Sequence, residues 1–138
     1  MDPYLLFNGE CESAFHFYAQ CLGGSVGYVL KHGDSPMSEG VSADWRDKVM
    51  HARLDVRGKS LLGSDAPPPR YEKPRGFSIT LAMDDPNEAE RVFNALAEGG
   101  VVQMPLQPTF WALRFGMVVD RWSIPWMVNC TEPVAEAA

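Results

Sequence analysis

Cysteine is scarce in this 138-residue chain, and its pattern excludes a disulfide framework. Cys11, Cys21 and Cys130 are an odd number with no CxxC spacing. On one helix, Cys11 and Cys21 would stand about 15 Å apart, beyond the reach of a bridge. All three read as small apolar core residues. No apolar run approaches the roughly 20 residues of a membrane span, and no basic-then-apolar leader opens the chain, so a cytoplasmic protein is expected. Positive charge is thin as well. Lys and Arg number 12 against 18 Asp and Glu, giving a net charge of −6 and a pI near 4.9. Arg53, Arg57 and Lys59 alternate along one segment, but Asp55 interrupts them. A phosphate backbone needs a basic face, which excludes nucleic acid as the partner. A glycine-rich phosphate loop and a Ser–His–Asp order are also missing, and no catalytic set emerges.

What is present is an ordinary globular balance, 46% hydrophobic and 22% charged. The 11 prolines and 12 glycines predict many turns and short strands. Tyr4–Phe7 reads as a strand, and Asn8 offers a helix cap. Cys11, Ala14, Phe15, Tyr18 and Leu22 then recur at helical steps, with His16 on the polar side. Gly23-Gly24 stops that helix. Val26–Leu30, Val49–Val56 and Ser60–Gly63 read as strands, with a polar loop from His32 to about Asp47. The prolines of residues 66–75 exclude a helix or a strand interior there, which predicts a linker. Beyond it the order repeats. Phe77–Met83 is a strand, and Asp85-Pro86-Asn87-Glu88 starts a helix with a capping Asp and proline at its first position. Ala89, Val92, Phe93 and Leu96 form its buried stripe, and Gly99-Gly100 ends it. Strands Val101–Pro105, Phe110–Val119 and Pro125–Cys130 follow.

An offset of 76 places Glu12 on Glu88, Phe17 on Phe93, Gly24 on Gly100 and Val26 on Val102. Strand, helix, Gly-Gly and three strands thus occur twice, which is an internal duplication. The fold class predicted is α+β, with tandem βαβββ modules over residues 1–65 and 76–132, a linker over 66–75 and a tail over 133–138.

The strings Tyr4-Leu5-Leu6-Phe7-Asn8-Gly9, Ala14-Phe15-His16-Phe17-Tyr18, Val49-Met50-His51-Ala52-Arg53-Leu54, Met104-Pro105-Leu106 and Trp126-Met127-Val128-Asn129 occur in a telling order. The chain resembles the vicinal-oxygen-chelate superfamily of glyoxalase and bleomycin-resistance proteins, in its PhnB-like branch, over nearly its whole length. The resemblance implies curved mixed sheets enclosing a cleft, and a homodimer. It also implies where a metal would sit: a His opening the first strand of each module and a carboxylate late in the last. Those positions fall near Pro3, at Phe77 or Ser78, near Leu61–Gly63 and near Met127, none of which suits a hard cation. His16 and His32 read as solvated. His51 and Asp65 are two ligands at most, so neither metal nor cofactor is expected.

Aromatic residues are the better clue. Phe110, Trp111, Trp122 and Trp126 crowd the last two strands, and Tyr4 and Phe7 open the matching sheet of module one. Such walls with a few polar groups suit a small-molecule pocket. The ligand-binding residues predicted are His51, Arg53, Asp65, Trp111 and Arg114, with both arginines fitted to a carboxylate or phosphonate. Trp126 reads instead as core. The function expected is a metal-free, glyoxalase-like protein binding an unidentified small molecule. Two readings compete with it: a divalent-metal lyase, isomerase or dioxygenase of the superfamily, and a protein that sequesters a drug or toxin.

Overall fold

In Tyr4–Phe7, Val49–Val56, Arg114–Val119 and Pro125–Cys130 buried residues alternate with more exposed ones, so each sheet has one face to bury. The computed structural model describes residues 1–36 and 38–132; the tail expected at 133–138 lies outside them. The chain parts into two compact units, Met1–Glu72 and Lys73–Ala138. The first comprises β1 (Tyr4–Phe7), α1 (Cys11–Leu22), β2 (Ser25–Lys31), β3 (Val49–Val56) and β4 (Lys59–Asp65). The second comprises β5 (Ile79–Met83), α2 (Pro86–Ala97), β6 (Val101–Gln107), β7 (Arg114–Val119) and β8 (Pro125–Cys130).

The sheet orders, β1-β4-β3-β2 and β5-β8-β7-β6, are the same arrangement twice. In each, the outer first strand runs parallel to the last, and the remaining neighbours are antiparallel. Each sheet draws its strands from one half of the chain, giving two mixed βαβββ sheets of the α+β class. Among the described residues no helix is long and apolar enough to cross a membrane.

One face of each sheet carries a helix, and that layer is the core. In the first unit Leu5, Phe7, Ala52, Leu54 and Leu61 meet Phe15, Tyr18 and Leu22 of α1. Phe7 therefore packs inward, edge-on to Phe15 at 5.8 Å between centroids, rather than lining a pocket with Tyr4. In the second unit Leu81, Val118, Trp126 and Val128 meet Val92, Phe93 and Leu96 of α2. The three cysteines are buried with free thiols. Burial, with the Asp65 and Glu12 carboxylates adding to it, pushes the Cys11 thiol far up, so it stays protonated.

Two glycines from the matched pairs explain why the duplication keeps them. A Cβ on Gly24 would stand 2.4 Å from the carbonyl oxygen of Asp55, and one on Gly100 would stand 2.2 Å from that of Val119. At both places the segment leaving the helix crosses the third strand of its sheet too closely for a side chain.

The two helices are capped differently. Asp85 caps α2, its side chain accepting from Asn87 N at 2.9 Å, with Pro86 at the helix start. Replacing Asp85 with Ala should lower the unfolding free energy by about 1 kcal/mol in urea melts. In α1 the cap residue is Glu10, not Asn8, and it makes no side-chain capping bond. The donor there is met from the far end of β4, by Asp65.

The expected strand Phe110–Val119 starts later, at Arg114. β6 ends at Gln107, before Pro108, and Thr109 closes a turn, accepting on Oγ1 from Ala112 N at 3.1 Å while its own N–H donates to Ala112 O at 3.1 Å. The β7–β8 turn is organised by Asp120, 3% exposed, which accepts from Trp122 N (2.9 Å), Ile124 N (3.0 Å) and Trp126 Nε1 (2.9 Å). Trp126 is thus core, its one polar atom satisfied, while Trp122 sits beneath the Arg121 guanidinium at 5.1 Å.

Candidate functional site

The face of each sheet turned away from its helix is where half-exposed polar and aromatic side chains collect. On the first sheet, β3 alternates Ala52, Leu54 and Val56 toward α1 with His51, Arg53 and Asp55 on the open side. Register then sets the neighbours. Tyr28 of β2 lies opposite Arg53, and Leu30 lies opposite His51. On the far side of the sheet Tyr4 of β1 takes the open face, because Leu5 and Phe7 take the core.

These placements produce a connected cluster. The Tyr4 hydroxyl and His51 Nδ1 are 3.1 Å apart, and their rings stack at 5.6 Å with planes 20° apart. The Tyr28 ring lies 5.4 Å from the same imidazole on its other side. The Arg53 guanidinium covers Tyr28 at 5.7 Å and pairs with Asp55 at 3.2 Å. Asp55 also accepts from Ser60 Oγ at 2.9 Å, which fixes it under the arginine. Tyr4 and Tyr28 are nonetheless 47% and 43% exposed, so two aromatic planes, an imidazole and a cation are open to a ligand.

Asp65 is not part of that cluster. It shares a side of β4 with Leu61 and Gly63, facing α1, and is 5% exposed. One oxygen accepts from Cys11 N at 2.8 Å and the other from Val49 N at 2.8 Å. His51 and Asp65 therefore stand on opposite faces of one sheet and cannot share a ligand or ion.

In the second unit Trp111 and Arg114 also part company. Trp111 is 49% exposed and meets the rings of Phe110 at 4.8 Å and Phe115 at 5.4 Å. Phe115 alternates with Gly116, which packs under Phe93 of α2, so this aromatic group belongs to the open side. Arg114 is turned the other way. It lines a recess of about 380 Å³ with Glu90, Phe93 and Asn94 of α2 and Leu106 of β6. Its Nη1 donates to Leu113 O at 2.7 Å. Arg114 also opposes the rise that burial and then Asp85 impose on the Cys130 thiol.

A second recess, of about 390 Å³, lies on the open side of this sheet, with Phe77, Gln103, Met117, Pro125 and Met127 in its wall. It presents apolar and thioether groups. Thr80 Oγ1 is 3.9 Å from Met127 Sδ, on strand positions that pair directly. The corresponding pair on the first sheet is Tyr4 and Leu62. Such donors do not suit the hard or borderline divalent ions expected of this fold. Among the described residues no three His, Cys, Asp or Glu side chains gather closely enough to share an ion.

Sequence spacing missed two features. Tyr28 becomes a partner of His51 and Arg53 only through the β2–β3 register, which bulges between Val26 and Tyr28. His32, expected to be solvated, is partly covered, with its Nε2 enclosed and its ring 6.3 Å from that of Trp45.

A family model described as 3-demethylubiquinone-9 3-methyltransferase matches residues 1–129. Protein YjdN of Escherichia coli strain K12 is 34% identical over 137 residues, covering 94% of this chain and 93% of its own. The crystal structure of protein PA1353 from Pseudomonas aeruginosa is 54% identical, with a TM-score of 0.87, covering 96% of this chain and 98% of that one. A PhnB protein from Bacillus cereus shares the fold at 20% identity and a TM-score of 0.82, covering 95% of this chain and 98% of that one.

Proposed function

From the chain's place in the PhnB-like family described as 3-demethylubiquinone-9 3-methyltransferase, to which it belongs within the vicinal-oxygen-chelate superfamily, we propose that it binds a small organic molecule on the open face of its first sheet without a metal ion. The observation that carries this reading is the Tyr4–His51–Tyr28–Arg53 cluster. Exposed aromatic planes offer stacking to a flat, unsaturated group. Arg53 spends one arm on Asp55 and keeps further N–H groups for a carboxylate or phosphonate. His51 supplies a hydrogen bond oriented by Tyr4.

Methyl transfer, the activity in the family's description, draws no support from the chain. The strand-to-helix connections are Asn8-Gly9-Glu10 and Asp84-Asp85, not glycine-rich turns. The sheets are mixed rather than the alternating parallel kind. The metal-free half of the proposal rests on the donor set: Tyr4, Leu62, Thr80 and Met127 at the paired open-face positions, with His51 and Asp65 on opposite sides.

Calorimetric titration with small aromatic carboxylates and phosphonates tests the reading. His51→Ala and Arg53→Ala should each weaken a bound compound about tenfold, the worth of one charge-assisted contact, and leave the melting temperature nearly unchanged. Wild-type affinity in both variants would place the ligand elsewhere. Stoichiometric zinc, nickel, manganese or iron in protein purified without chelator would favour the metal-dependent enzyme instead.

A further inference from the structure

The recess beside Arg114 lies on the helix side of the second sheet, where α2 faces the edge strand β6. Two features open it. Gly116 has no side chain: a Cβ there would stand 2.7 Å from Phe93 Cε2 and 3.0 Å from Leu106 Cα, so the Phe93 ring seats low against β7. The β6–β7 register also shifts between Met104 and Gln107, around Pro105, which has no N–H to pair. The hollow that results holds about 380 Å³, a size that suits a small molecule. Phe93, Val102 and Leu106 give it an apolar wall.

Its charged groups are unspent. Glu90, Phe93 and Asn94 share one face of α2, at i, i+3 and i+4, so a carboxylate and a carboxamide flank the buried ring. Arg114 enters from β7. Its Nη1 donates to Leu113 O at 2.7 Å, and its other N–H groups have no partner among the described residues. Glu90 makes no ion pair or hydrogen bond among them either, so two opposite charges line one recess without pairing. A lone anion there would meet repulsion from Glu90, and a lone cation would meet it from Arg114. A molecule carrying both charges meets neither.

We infer that this recess binds a free α-amino acid with an aliphatic side chain. The carboxylate lies on Arg114, the ammonium on Glu90, and the side chain against Phe93, Val102 and Leu106. Asn94 adds an amide that donates to the one charge or accepts from the other. Selection for a neutral zwitterion sets this locus apart from the Arg53 cluster of the first unit, which calls for an anion.

L-Leucine, isocaproate and isoamylamine share one branched aliphatic tail and differ in which charges they carry. Titrated into the intact chain and followed by the methyl resonances of Val102 and Leu106, leucine should bind saturably. It should bind about tenfold tighter than either single-charge analogue, the worth of one charge-assisted contact. Glu90→Gln, at an exposed helix position, should weaken leucine about tenfold and leave isocaproate no weaker. Arg114→Gln should weaken leucine by a similar factor and leave isoamylamine no weaker. Arg53→Ala should change none of the three. Equal affinity for the three compounds, or no saturable shift up to the solubility limit of leucine, would overturn the inference. So would wild-type leucine affinity in Glu90→Gln, a substitution that leaves the core untouched. Loss of leucine binding in Arg53→Ala would place the amino acid on the first sheet and overturn it equally.

Discussion

Replacing Asp65 by alanine is expected to remove about 4 kcal/mol of unfolding free energy, a large share of the stability of a unit this size. The carboxylate is nearly sealed, at 5% exposure, and receives the N–H of Cys11 and the N–H of Val49. Each bond ties a chain start to the end of β4: the first turn of α1 by one, the opening of β3 by the other. Truncation leaves both donors buried without acceptors at about 1–3 kcal/mol apiece. Asp65→Asn retains one acceptor and brings an NH₂ against the other donor, so about half the loss is expected. Urea melts of the three proteins provide the comparison. Because Asp65 faces the helix side, the folded fraction of either variant should bind at wild-type affinity. A variant with unchanged stability and lost binding would return Asp65 to the ligand site.

The second large effect concerns Gly100. Its missing side chain lets the segment after α2 pass the Val119 carbonyl, and an added methyl would stand 2.2 Å from that oxygen and 2.9 Å from Asp120 Cα. Both are backbone atoms, so no rotamer change relieves the overlap. The strand must shift, pulling on the Asp120 turn that holds Trp126. Gly100→Ala should therefore cost about 3 kcal/mol, the upper part of the usual range for overpacking. Gly24→Ala should cost a similar amount, because the first unit repeats the approach against Asp55 O at 2.4 Å. Thermal melts of both single variants check this. A tolerated alanine at one glycine and not the other would show that the duplicated halves have relaxed independently. Gly58, whose added Cβ would meet nothing within 4 Å, is not a fair control, since its φ is +76°. Gly40, with open space and no unusual φ, is the proper one.

The candidate site was only partly legible. His51 and Arg53 share strand parity, and a strand's two-residue period is local, so their common face could be read directly. Asp65 looked like their neighbour because it ends the adjoining strand. Parity on β4 counts from its pairing with β3, where Ala52 lies opposite Gly63, and that register turns Asp65 to the other side. Trp111 and Arg114 were separated for a related reason. The turn at Thr109 delays β7, so Trp111 lies outside the strand, and Arg114 falls in phase with Gly116 on the helix side.

By itself, the sequence determined the element types and their repetition. Helical stripes, strand alternation, the Asp85-Pro86 start and the paired glycines all act within a few residues of chain, where backbone sterics and local hydrogen bonds decide. Tertiary structure alone decided which side chains meet: Tyr4 with His51 across 47 residues, Cys11 N with Asp65 across 54. Strand register sets those contacts, and a slip of one residue would exchange every core residue for one on the open face.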